Sequence, residues 1–136
     1  MNIDETIKIL VVDDEEPFRK LLERNLARSG AEFRRAIEEA ARVTKPGAGL
    51  FVFTFSRNTL PARTDPVPGE SFVFTEFSGR PQCFLTAEQL VTELGSAGFV
   101  PEPGVPLTEY TRPGTDPLRV GTPLVIFEAA FRRMLP

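Results

Sequence analysis

The sequence predicts a three-layer α/β fold, and three observations predict it. Gly49-Leu50-Phe51-Val52-Phe53-Thr54-Phe55 is an unbroken apolar run of strand length between Pro46-Gly47 and Ser56-Arg57-Asn58. A run this short, apolar at both alternating positions, reads as a strand covered on both faces, in the middle of a sheet. Apolar stripes at helical spacing precede it, and a second apolar run, Leu124–Phe131, closes the chain. The 136 residues fit a single domain, 1–136, with enough chain for a real core.

Composition narrows the function classes. The net charge of −3 supplies no basic field for nucleic acid or an anionic membrane. The chain has no histidine, which removes the commonest general base and the commonest metal ligand. The single cysteine, Cys83, excludes an intrachain disulfide and a thiolate zinc cage, and is expected to be a small buried hydrophobe. No apolar run reaches transmembrane length, and Met1-Asn2-Ile3-Asp4-Glu5 is unlike a signal peptide. The expected compartment is the cytosol.

Each element has its own local signal. Ile7–Val12 reads as a strand ended by Asp13-Asp14-Glu15-Glu16. Pro17 suits a first helical turn, and Phe18, Leu21, Leu22 and Leu26 form a stripe that predicts a helix over 17–29. A second helix is expected from about Glu32 to Val43, with Phe33, Ile37, Ala40 and Ala41 inward. Lys45-Pro46-Gly47 ends it. Residues 56–70 form an irregular, proline-rich excursion, and 71–77 with 82–85 read as a short hairpin. Thr86 and Gln89 have the spacing of a capping box for a helix carrying Leu90 and Leu94, which Gly95 and Gly98 close. The segment 99–110 is extended, and Pro101, Pro103 and Pro106 confine it to a sheet edge. Residues 111–123 are a Gly/Pro loop before the last strand, Leu124–Phe131.

Two resemblances follow from these motifs. Lys8-Ile9-Leu10-Val11-Val12-Asp13-Asp14-Glu15, with Phe18-Arg19-Lys20-Leu21-Leu22, resembles the start of a response-regulator receiver domain over residues 6–30. The resemblance implies a flavodoxin-like βα unit whose acidic pair, Asp13 and Asp14, makes a weak Mg²⁺ or Ca²⁺ contact through hard oxygens. No later apolar strand ends in Asp, so the family's phosphoacceptor has no counterpart. Ala36–Gly47 followed by Leu50-Phe51-Val52-Phe53, then Phe84–Leu94 and Ala97-Gly98-Phe99, resembles the C-terminal half of class I S-adenosylmethionine-dependent methyltransferases over residues 31–136. That resemblance implies a Rossmann-like, doubly wound mixed sheet in which strand 124–131 runs antiparallel between 50–55 and 99–110. The family's Gly-rich cofactor loop is missing here; Gly47-Ala48-Gly49 lies on the wrong side of its strand. Ser56, Arg57 and Asn58 receive no assignment from the resemblance.

Together these readings imply a chimera, made by design or by recombination, with no catalytic function and no S-adenosylmethionine bound. The alternatives are a methyltransferase fragment that binds the cofactor and a degenerate receiver that serves as an interaction module. The sheet is expected in the order 7–12, 50–55, 124–131, 99–110, with 7–12 at an edge and parallel to 50–55 through a right-handed crossover. An apolar edge strand and a hinge at Gly30 between two helices imply a domain-swapped homodimer.

Overall fold

The computed structural model describes residues 5–13, 18–25, 28–77, 79–112 and 124–135. Eight strands and two helices follow in the order β1 (Glu5–Asp13), β2 (Phe18–Asn25), α1 (Gly30–Val43), β3 (Gly49–Phe55), β4 (Val73–Phe74), β5 (Gln82–Cys83), α2 (Ala87–Ser96), β6 (Phe99–Pro101), β7 (Thr108–Arg112) and β8 (Leu124–Arg133). Six strands form one sheet in the order β2-β1-β3-β8-β6, and β7 also pairs with β8. Every pairing in it is antiparallel. β4 and β5 make the small hairpin expected within 71–85.

The helices form for local reasons. Ser29 caps α1 by accepting from the Glu32 N–H at 3.1 Å, and Phe33, Ala36, Ile37 and Ala40 bury one stripe. Arg133 donates from Nη1 to the Ala41 and Thr44 carbonyls, which satisfies the orphan acceptors at the other end. Gly47 turns the chain into β3 with φ 85°, a left-handed conformation that favours glycine. In α2 the Thr86–Gln89 capping box is complete in both directions, at 3.0 and 3.1 Å.

Both helices pack on one face of the sheet. Phe33, Ile37, Leu90 and Leu94 close over Leu50 and Val52 of β3, Phe127, Ala129 and Phe131 of β8, and Phe99 of β6. Among the described residues, the opposite face has cover at one end only. There Phe55 and Ile126 lie under Leu60, Phe74, Phe77 and Phe84, all supplied by the 56–85 excursion. Phe77 and Phe84 lie tilted against each other and against Phe55, with ring centroids 5.5–6.4 Å apart. At the other end Phe51 is 40% exposed, beside its register partner Ala130.

Several expectations are corrected. The segment read as a helix over 17–29 contains a strand, Phe18–Asn25, in continuous register with β1 from Ile7↔Arg24 to Asp13↔Phe18. Helix propensity is a weak prior, and cross-strand pairing outweighs it here. Gly30 is accordingly no hinge between two helices; it begins α1. β1 runs antiparallel to β3, from Ile7↔Thr54 to Val12↔Gly49, so the parallel crossover rule does not apply. β1 is interior, and β2 takes the edge. β3 is mid-sheet as expected, yet among the described residues its second face is covered at the Phe55 end alone. The order β1-β3-β8-β6 and the edge placement of the proline-broken 99–110 segment agree with the expectation.

Candidate functional site

The chemistry-bearing side chains gather where β3 ends. Backbone closure fixes that corner first. The Ser56 N–H donates to the Val125 carbonyl at 2.8 Å and the Arg57 N–H to the Leu85 carbonyl at 2.7 Å. Ser56 is fully buried, and its hydroxyl caps the 3₁₀ turn Arg57–Thr59 by accepting from the Asn58 N–H at 3.1 Å. The same hydroxyl donates to Glu109 Oε2 from β7. Asn58 Nδ2 donates to that oxygen as well, at 2.8 Å. Thr59 Oγ1 exchanges both bonds with Val125, accepting at 3.0 Å and donating at 3.2 Å.

Arg57 is turned to structural use. Its guanidinium donates to the carbonyls of Leu60, Pro61, Ala62 and Thr64 at 3.0–3.4 Å, and its Cζ sits 4.7 Å from the centroid of the Phe74 ring. A fork of donors and a cation–π contact hold the loop against the Phe cluster. A serine hydroxyl beside a carboxylate has the parts of a nucleophile and base. Ser56, however, has no exposed surface to offer an electrophile, and its hydroxyl already donates once and accepts once.

Cys83 is the other potential nucleophile. It is completely buried, and burial pushes its thiol up to about 12, with Glu70 and Glu32 raising it further and Arg34 opposing them. Its Sγ lies 3.8 Å from the Ser29 carbonyl, under the start of α1. Such a thiol stays protonated and inert at neutral pH. The expectation of a buried structural cysteine holds.

Asp13 lies at the other end of the sheet. It follows Val12, which pairs with Gly49 at the start of β3, whereas Ser56 follows the last residue of β3. Antiparallel pairing therefore separates the acidic strand end from the Ser56 corner, where parallel strands would have brought the two together. Asp14 lies outside the described residues. No group of three His, Cys, Asp or Glu side chains suited to a metal occurs among the described residues. A hard divalent cation takes six or more oxygens, so Asp13 and Asp14 would need water or other ligands to complete a shell.

Glu109 is the site residue that sequence reasoning missed. It is 53 positions from Ser56, and nothing local links them. The one available signal was a carboxylate on an edge segment otherwise bounded by prolines. Among the described residues, no helix is long and apolar enough to cross a membrane. A scan of protein-family models, a search of curated proteins and a search of solved structures each found no match to the chain.

Proposed function

We propose that the chain is a non-catalytic, cytoplasmic α/β protein, a chimera of a receiver-like N-terminal fragment and a methyltransferase-like C-terminal half, that acts as a self-associating structural unit. The observation that carries the reading is the arrangement β3-β8-β6, with β8 antiparallel between the other two and α2 leading into β6. That is the arrangement the methyltransferase resemblance implies for its last three strands. In this reading the parent fold is three-layered and doubly wound, and the uncovered face around Phe51 is where its third layer would lie. The lack of catalysis is supported by a buried Ser56, a buried Cys83 and an Arg57 committed to carbonyls. The partner in this reading is a second copy of the chain.

Isothermal calorimetry tests the reading. S-adenosylmethionine, and separately acetyl phosphate with Mg²⁺, should release no heat beyond dilution. Micromolar S-adenosylmethionine binding lost in Asn58→Ala would replace the reading with a cofactor-binding fragment. Phosphate incorporation lost in Asp13→Ala would replace it with a receiver.

A further inference from the structure

We infer that the outer edge of β2 is the self-association surface, where two copies pair antiparallel about a two-fold axis with Leu21 opposite its own copy. The inference rests on the homodimer reading above. Among the described residues β2 has one hydrogen-bonded neighbour, β1, and none of them pairs with the main-chain groups of its other edge. The strand is 8 residues long, roughly 27 Å at the usual rise per residue. It holds no proline, so every residue retains a donor. Its pairing with β1 is free of bulges from Ile7↔Arg24 onward, so no bulge twists the edge away.

The opposite edge of the sheet is blunted. β6 has 3 residues and β7 has 5, with Pro103 and Pro106 between them and Pro101 within β6. Natural sheets protect edges in this way, by short strands and prolines. Of the two edges, β2 is the one built to accept another strand.

Charge selects the partner and the register. In an isologous antiparallel pair centred on Leu21, Arg19 stands opposite Glu23 of the partner subunit, and Glu23 opposite Arg19 of the partner subunit. Phe18 falls opposite Arg24 of the partner subunit, and Lys20 opposite Leu22 of the partner subunit. Moving the centre to Leu22 sets Lys20 against Arg24, and moving it to Lys20 sets that lysine against its own copy. Directly opposed like charges destabilise an antiparallel pair and opposite charges stabilise it. Within each chain Glu23 is already in register with Lys8 of β1. The charges then alternate across the joined sheets, Lys8, Glu23, then Arg19 of the partner subunit.

Light scattering over a concentration series is the first arm of the test. The chain should give twice its 15.1 kDa mass, and Arg19→Glu should weaken the dimer at least tenfold. Circular dichroism on each variant separates a lost interface from a lost fold. The second arm oxidises Leu21→Cys in a Cys83→Ser background, where the Leu21-centred register places the new thiols opposite each other. Rapid disulfide cross-linking there, and none for Lys20→Cys, is the expected result. A mass of 15.1 kDa that does not change on concentrating overturns both the edge inference and the homodimer reading. A dimer that tolerates Arg19→Glu and whose Leu21→Cys chains fail to cross-link overturns the edge inference alone.

Discussion

The two faces of one sheet are made by alternate residues of the same strands, and they meet different fates. Leu50 and Val52 are fully buried under α1 and α2, while Phe51 between them is 40% exposed and Phe53 is half-buried. In β8 the contrast repeats: Phe127, Ala129 and Phe131 are buried, whereas Glu128, Ala130 and Arg132 are half-buried. The residue types explain only part of this, because Phe51 is as apolar as Leu50. What differs is the supply of covering elements. Among the described residues, the helix face receives two amphipathic helices, and the other face receives only the Phe cluster of the 56–85 excursion, which reaches Phe55 and Ile126. Alternation fixes which residues share a face, but a face is buried only if some other element brings an apolar surface to it.

The sharpest way to break this comparison is to truncate one aromatic on each side. Phe33 is fully buried and meets Phe72 edge-on at 5.4 Å, so Phe33→Ala should cost about 3–5 kcal/mol in urea unfolding. Phe51→Ser should cost less, about 1–2 kcal/mol, since 40% of Phe51 is already in contact with water. Equal losses from the two changes would mean that the Phe51 face is covered in solution.

Thiol chemistry sharpens the same contrast. Cys83, pushed up to about 12 by burial, should react with a thiol reagent about a thousandfold more slowly at pH 8 than a cysteine placed at position 51 by Phe51→Cys. The linkage has a definite sign. The folded thiol holds its proton where the unfolded one has lost it, so the contribution is fully present below about 9 and declines as pH rises toward about 12. Cys83→Ala should flatten that part of the stability profile.

Smaller effects belong to the helices that make the covered face. Thr86→Ala removes the hydroxyl that accepts from the Gln89 N–H, leaving the backbone half of the capping box, and should cost about 1 kcal/mol by thermal unfolding. The ion pair Arg34–Glu93, 2.8 Å long, joins α1 to α2 with the arginine side chain 49% exposed. Solvent screens such a pair, so Glu93→Gln should shift stability by less than about 1 kcal/mol, and added salt should shrink the difference.

Most of the chain from residue 30 onward was legible locally. The stripe Phe33, Ile37, Ala40, the Thr86–Gln89 spacing and the proline-broken 99–110 segment each state their role within a few residues. The candidate site was only half legible. Ser56 and Asn58 lie in sequence just past an obvious strand, but Glu109 joins them through β8, which carries β7 along its edge, and no local pattern encodes that approach.

By itself the sequence determined the mid-sheet position of 49–55, the helical stripe of α1, the capped helix α2, the edge character of 99–110 and the inert Cys83, because periodicity, capping and burial habits act over short range. The tertiary structure decided the state of 18–25, the direction of β1 and the partial cover of the second face of β3. Phe18-Arg19-Lys20-Leu21-Leu22 suits a helical stripe, but pairing along β1 gives its backbone groups partners over the whole length of β2. Strand direction and the choice of which face is covered depend on contacts between distant segments, and such contacts leave no periodic mark on either one.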